Sequence, residues 1–183
     1  MNNYDVMMMK SEDIYKLMKI LTNIGWKSIR ETSINRIIYL SAVLYSFRYP
    51  DESNIFKEDY MFTITLSGPE DPDIENALVN LESNDVIPQS EEGYKVSDNA
   101  SFSFKAKQDL RKTEWFEDIA YIVGIYGEDK IYDFIFRDPE YREALQGNSI
   151  YNLNIGEDNT TVKFLNSFKM AFEEKLYLSL IHI

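Results

Sequence analysis

Cysteine and histidine are almost missing from this sequence, and their scarcity removes most catalytic chemistry. The 183 residues contain no Cys and a single His, His182, next to the C-terminal end. Disulfides, thiolate nucleophiles and cysteine zinc sites are therefore excluded for this chain. A catalytic Ser–His pair would have to use His182. The sequence predicts a protein that is not an enzyme and has no catalytic residues.

Glycine and clustered metal ligands are also too sparse for a cofactor site. Only seven glycines occur, and no two have the spacing of a phosphate-binding loop. A metal ion would need carboxylate ligands alone. The acidic pairs Asp71/Asp73 and Glu157/Asp158 do not form a calcium-loop pattern, and we interpret both as solvated surface. We therefore predict no cofactor and no bound metal.

Long apolar runs are absent as well. No segment approaches 18 uninterrupted apolar residues, the length that a membrane-spanning helix needs. The first residues lack the basic start and apolar run of a secretion signal. The expectation is a cytoplasmic protein that does not associate with a membrane. A hydrophobic fraction of 44%, with 11 Phe and 13 Tyr, predicts a folded chain with an aromatic core.

Positive charge is missing from one long segment of an already acidic chain. The formal net charge is −12, and no Lys or Arg occurs between Lys57 and Lys95. This acidic segment, residues 58–94, holds ten carboxylates: Glu58, Asp59, Glu70, Asp71, Asp73, Glu75, Glu82, Asp85, Glu91 and Glu92. DNA-binding proteins gain much of their affinity by neutralising phosphates with Lys and Arg. The acidic segment would instead repel DNA.

The periodicity of apolar residues predicts a mainly α-helical fold with a small β-hairpin. Three helices with apolar residues at helical spacing are predicted to begin near Ser11, Ser33 and Asp73. Short strands at residues 86–87 and 94–96 flank a polar turn and predict a hairpin with an acidic tip. Three helices followed by a hairpin is the order of a winged helix. We therefore predict a winged-helix-like module over residues 1–104.

A helical C-terminal part is predicted for residues 105–178. Helices are expected over residues 113–126, where Gly127 ends the first, then over residues 138–147 and from residue 161 onward. Residues 179–183 resemble translated sequencing-adapter sequence, and we treat them as a tail of doubtful origin.

One basic cluster is the candidate nucleic-acid contact. Its members are Lys105, Lys107, Arg111 and Lys112. Four cations on one short helix are able to bind a few phosphates or an acidic surface of a partner protein. The alternative interpretation is a solvated helix start that offsets the acidity of the remaining chain.

A candidate protein interface lies in the aromatic stretch after Gly127. Apolar residues occupy five of the six positions 131–136, so they cannot all face one side of a helix. Tyr, Phe and Arg are common anchors of protein interfaces. The candidate interface residues are Tyr132, Phe136, Arg137 and Tyr141. The alternative is that these side chains belong to the internal core.

A winged core (INRIIYLSAVLY … DIENALVNLESNDVIPQSEEGYKV) followed by a helical part resembles the middle components of ABC-three-component systems, including the small third subunit of Lamassu-type anti-phage systems. The resemblance concerns the order of elements over most of residues 11–175. It implies a non-enzymatic adaptor that holds an SMC-like ATPase and an effector, often a nuclease, in one complex. Such an adaptor meets DNA only indirectly, through the complex.

The same winged core also resembles small regulators and antitoxins that bind DNA. This is the alternative function, a winged-helix DNA-binding regulator or antitoxin. The absence of Lys and Arg from the acidic segment argues against it.

Overall fold

The protein is mainly α-helical, as predicted. The computed structural model describes residues 3–102, 110–146 and 155–181. The helices are α1 (Asn3–Asn23), α2 (Glu31–Arg48), α3 (Pro72–Ser83), α4 (Leu110–Arg137), α5 (Pro139–Gln146) and α6 (Thr160–Ile181). Two antiparallel hairpins join β1 (Thr63–Thr65) to β2 (Gly68–Glu70) and β3 (Gln89–Ser90) to β4 (Gly93–Tyr94). The predicted fold class, mainly α with a small β-hairpin, is confirmed.

Helix α1 begins at Asn3, well before the predicted start at Ser11. Ser11 is buried inside the helix, where its hydroxyl donates to the carbonyl oxygen of Met7 at 2.9 Å. A serine hydroxyl is able to bond to the carbonyl four residues earlier, so it does not always mark a helix start. Ser33 likewise lies within the first turn of α2, which begins at Glu31. Both predicted cap positions are therefore wrong.

Helix α3 starts where its sequence predicts, because Asp71 caps it. The Asp71 side chain accepts a hydrogen bond from the Asp73 amide at 2.9 Å, and Pro72 occupies the first turn. The helix buries one apolar face against α1: Ile74, Ala77, Leu78 and Leu81. Helices α1 and α3 therefore pack directly against each other in the N-terminal module.

The hairpin β3–β4 follows α3 and is attached to the segment before α2. Ile29 and Tyr94 exchange two backbone hydrogen bonds of 2.8 and 2.9 Å. Gly93 has φ +124°, and a Cβ there would lie 2.7 Å from the carbonyl oxygen of Ile29, so this approach requires glycine. Residues 86–87 are buried but lie outside the strands, which begin at Gln89. The arrangement of α1, α2, α3 and hairpin follows the predicted winged-helix-like order.

Helix α4 packs across α1 and α2, so the helices after residue 110 share one hydrophobic core with the N-terminal module. Trp115 lies edge-on to Tyr45, and Phe116 lies edge-on to Phe56. Gly127 interrupts the helical geometry of α4 with φ +76° and ψ 169°, at the predicted position, but the helix resumes immediately. No helix within the described ranges is long and apolar enough to cross a membrane.

A buried polar cluster fastens α5 and α6 to α2. Asp138 caps α5 by accepting from the Glu140 amide at 2.9 Å, and it also accepts from the hydroxyls of Tyr39 and Thr161. Glu140 in turn accepts from the Thr160 amide at 2.7 Å at the start of α6. The Asp138-Pro139 start predicted for a helix is confirmed, and its carboxylate joins three helices.

Candidate protein-binding site

The two described residues of the predicted basic cluster, Arg111 and Lys112, lie in different environments. Lys105 and Lys107 lie outside the described residues. Arg111 is exposed at the start of α4, and its Nη1 lies 3.0 Å from Oε2 of Glu52. Lys112 points into the protein and is only 6% exposed.

Lys112 is an internal counter-ion rather than a nucleic-acid contact. Its Nζ lies 2.9 Å from Oδ2 of Asp13 and 2.6 Å from Oδ2 of Asp59. Burial alone lowers the pKa of a lysine, but the two carboxylates outweigh burial here and raise the pKa of Lys112 above its ordinary value. Because its charge is buried and paired, the expectation that Lys112 binds phosphates is wrong.

A second buried lysine continues this network. Lys10 lies 2.8 Å from Asp71, the residue that caps α3. The ammonium groups of Lys10 and Lys112 lie 5.1 and 5.6 Å from the ring centroid of Tyr60, whose hydroxyl donates to Asp13. The two lysines thereby join α1, α3, α4 and the segment before β1. Sequence reasoning missed this role because it depends on contacts between distant parts of the chain.

The ion pairs of Lys10 and Lys112 involve part of the acidic segment. Lys10 pairs with Asp71 and Asp73, and Lys112 pairs with Asp59, so three of the ten carboxylates form internal ion pairs. The remaining seven form no ion pair with another described residue: Glu58, Glu70, Glu75, Glu82, Asp85, Glu91 and Glu92. They lie on or beside α3 and the two hairpins, so these elements carry a surplus of carboxylates.

Titration of two buried tyrosine hydroxyls and of Lys112 should lower the stability of the fold at alkaline pH. Burial raises the pKa of Tyr39 and of Tyr60 well above their ordinary value, and the pKa of Lys112 is also raised. The folded state therefore holds these protons more tightly than the unfolded state. Their contribution to stability is complete below the unfolded pKa values of about 10 and is lost as the pH rises through the folded values.

We expect the free energy of unfolding to fall steeply above about pH 10. Tyr60→Phe should reduce this slope, whereas Tyr121→Phe, which removes an exposed hydroxyl, should leave it unchanged. Urea unfolding between about pH 8 and pH 11 measures the slope. Equal slopes for Tyr60→Phe and the parent chain would remove Tyr60 from this explanation.

The predicted aromatic interface is divided between core and surface. Tyr141 is fully buried, its hydroxyl lies 3.4 Å from the carbonyl oxygen of Leu66, and its ring packs edge-on against half-buried Phe136 at 5.1 Å. Tyr141 is therefore a core residue, and its assignment to an interface is wrong. Arg137 is exposed at the end of α4. The side chain of Tyr132 lies outside the described part of the structure.

An apolar groove lies between α2 and α4. We call it the α2–α4 groove; it has a volume of about 310 Å³ and is lined by Leu40, Leu44, Ile122, Tyr126, Lys130 and Phe134. Its two most accessible apolar walls are Tyr126, which is 64% exposed, and Ile122, which is 37% exposed. Tyr121 and Ile125 extend this exposed apolar surface along α4. Large exposed apolar patches mark sites of protein contact.

A second, smaller cavity of about 170 Å³ lies between the same two helices. We call it the acidic slot; it is lined by Tyr45, Tyr49, Glu52, Arg111, Glu114, Trp115 and Asp118. The Tyr49 and Trp115 rings lie 5.8 Å apart and form part of its wall. Glu114 and Asp118 form no ion pair with another described residue. The acidic slot is suited to a cationic group, because the carboxylates of Glu114 and Asp118 attract one.

The acidic slot and the α2–α4 groove lie along one face of α4. Trp115, Asp118, Ile122 and Tyr126 follow one another at intervals of three or four residues, which places them on the same side of a helix. The arrangement therefore combines an apolar groove with a negative end. Within the described residues, no group of three Asp, Glu or His side chains could hold a metal ion.

Comparisons of the chain with protein-family models, with curated proteins and with solved structures find no match. The assignment of a function therefore depends on the sequence and on the geometry described above.

Proposed function

We propose that this chain is a non-enzymatic adaptor that joins protein subunits in a bacterial anti-phage defence complex of the cytoplasm. Following the resemblance to ABC-three-component systems, the subunits it joins are an SMC-like ATPase and an effector such as a nuclease. Its winged-helix-like module serves protein contacts rather than direct DNA binding. The observation that carries the proposal is the exposed α2–α4 groove on a chain whose α3 and hairpins present carboxylates.

The exposed apolar surface supports a role in protein binding. Ile122, Tyr126, Tyr121 and Ile125 stay accessible although the chain has a large aromatic core in which to bury such groups. Aromatic side chains in a recess are frequent hot spots of protein interfaces. An adaptor needs surfaces of this kind and needs no catalytic group.

A test by co-expression distinguishes the adaptor from its alternatives. The chain should be produced together with the products of the genes on either side of its own and purified through a tag on one of those products. We expect it to elute with them as one complex in size-exclusion chromatography. Elution of the chain by itself, with an ATPase and an effector both present and folded, would contradict the adaptor proposal.

The alternative, a winged-helix DNA-binding regulator or antitoxin, is favoured by the order of α1, α2, α3 and hairpin. The surface charge opposes it, because the seven carboxylates that form no ion pair with another described residue lie on or beside the elements that would approach phosphates. A single neighbouring toxin gene whose product binds this chain would support the alternative.

We expect the isolated chain not to bind duplex DNA, even at low salt. The measurement is the fluorescence anisotropy of a labelled duplex at about 50 mM salt, followed by a salt titration. The double variant Glu91→Lys/Glu92→Lys serves as a positive control, because it should create weak, salt-sensitive binding at the hairpin tip. Tight binding of the parent chain with a steep salt dependence would overturn this prediction.

A further inference from the structure

We infer that the α2–α4 groove binds an amphipathic helix of a partner protein, with an arginine of that helix in the acidic slot. This inference rests on the proposed function, because it describes the part of a partner subunit that the adaptor holds. Three features support it: the lining of the groove, the position of the slot along α4, and the charge of the surrounding surface.

The lining of the groove suits a helix. Ile122 and Tyr126 are four residues apart and form a ridge along α4, and Leu44 of α2 lies on the other side of the recess above buried Leu40. A recess between two packed helices accepts the apolar stripe of a third helix, as in other helix-in-groove complexes. The partner stripe would have apolar residues at positions i, i+3, i+4 and i+7.

The position of the slot fixes where the partner needs a cation. Asp118 precedes Ile122 by one turn of α4, which is about 6 Å along the axis. A helix lying along α4 therefore places one basic residue about one turn from its first apolar anchor. The carboxylates of Glu114 and Asp118 favour arginine over lysine, because a guanidinium group presents several donors in a planar fork that matches carboxylates.

The surface charge selects a partner protein over a second copy of this chain. Two copies would bring together surfaces of chains that each carry a net charge of −12. The exposed carboxylates of α4 that line the slot, Glu114 and Asp118, would face those of the second copy. Like charges across an interface cost free energy and suppress wrong partners. A helix with Arg and Lys beside its apolar stripe avoids this cost.

The test uses two synthetic helical peptides of about 18 residues with the same Leu stripe at i, i+3, i+4 and i+7. One carries Arg and Lys at the flanking positions, and the other carries Glu. Binding of each labelled peptide to the full chain is measured by fluorescence anisotropy. We expect the basic peptide to bind with a Kd on the order of 10 μM or below and the acidic peptide not to bind.

Matched variants locate the binding. Tyr126→Asp should lower the affinity for the basic peptide by about 30-fold or more, as at an interface hot spot. Tyr121→Asp is the control, because Tyr121 is 70% exposed on the same helix but does not line the groove. Both variants add one negative charge, so unspecific attraction of the peptide rises equally. Asp118→Asn should weaken binding by about two- to fivefold at low salt, whereas Glu117→Gln should not.

Several results would overturn the inference. Equal affinities of the Tyr121→Asp and Tyr126→Asp variants for the basic peptide would show that it does not bind in the groove, and equal affinity of the parent chain for both peptides would exclude the charge preference. Failure of the basic peptide to bind would exclude a helix of this chemistry. A concentration-dependent dimer that Tyr126→Asp dissociates in sedimentation velocity would assign the groove to a second copy.

This experiment is separate from the test of the proposed function. If the chain elutes with the products of the neighbouring genes but binds neither peptide, the adaptor proposal stands and the groove assignment fails. If the basic peptide binds in the groove but the chain elutes alone, the groove is a helix-binding site and the proposed defence complex is wrong.

Discussion

Replacing Lys112 with methionine should lower the free energy of unfolding by about 3–5 kcal/mol. The substitution keeps most of the side-chain volume but leaves the carboxylates of Asp13 and Asp59 buried without their counter-ion. The cost of an unpaired buried charge greatly exceeds the benefit of the apolar replacement. Urea unfolding followed by circular dichroism measures the difference.

Arg111→Ala is the matched control for Lys112. Arg111 is its neighbour in the sequence and belongs to the same predicted basic cluster, but its ion pair with Glu52 is exposed. Exposed pairs contribute about 0–1 kcal/mol, so Arg111→Ala should leave the stability nearly unchanged. If Lys112→Met were as stable as Arg111→Ala, Lys112 would not be the internal counter-ion described above. Adding Asp13→Asn and Asp59→Asn to Lys112→Met should recover part of the loss.

Tyr141→Ala should also destabilise the isolated protein strongly, by about 3–5 kcal/mol. Tyr141 is fully buried, packs against Phe136 and directs its hydroxyl to the Leu66 carbonyl, so its removal leaves a cavity between α5 and the β1–β2 hairpin. Thermal and urea unfolding of the purified variant measure the effect.

Arg137→Ala provides the comparison for Tyr141→Ala. Arg137 is exposed on the same segment, so its replacement should change stability by less than about 0.5 kcal/mol. The two residues were predicted from sequence as members of one interface, and the structure assigns them opposite roles. A Tyr141→Ala variant that keeps the parent stability but loses a partner would return Tyr141 to the interface.

Local signals in the sequence predicted the elements of the fold well. The predicted start near Asp73 lies one residue from the start of α3, Asp138-Pro139 identifies the start of α5, and Gly127 the interruption of α4. Each of these signals depends on backbone geometry within a few residues. Ser11 failed as a start signal for the same reason, because a serine within a helix and a serine at its beginning look alike in sequence.

The roles of individual charges could not be predicted, because they depend on contacts between distant segments. Lys112 and Arg111 are adjacent in the sequence, yet one is buried beside Asp13, 99 positions away, and the other is exposed. A run of cations predicts a basic surface only if the helix presents all of them to solvent. Helix α4 turns by about 100° per residue, so neighbouring residues point in different directions.

The apolar residues of α4 beside the α2–α4 groove have a signal in the sequence, although the interface predicted from sequence lay further along the chain, at residues 132–141. Phe116, Ile119, Ala120 and Val123 form the buried stripe of α4, while Tyr121, Ile122, Ile125 and Tyr126 lie outside that stripe. An apolar surface wider than one stripe indicates a second packing partner. Of the interface residues predicted from sequence, Phe136 and Arg137 lie on the same helix as the groove but do not line it.

Sedimentation velocity of a three-component mixture tests the central claim most directly. The mixture contains the chain, the co-expressed products of the neighbouring genes and a fluorescent DNA duplex, and absorbance and fluorescence are recorded separately. A second run contains only the chain and the duplex. The adaptor proposal predicts that the chain sediments together with the protein subunits. It also predicts that, when only the chain and the duplex are mixed, the duplex keeps the sedimentation coefficient of free DNA. Sedimentation of the duplex with the chain alone, without the protein subunits, would contradict it.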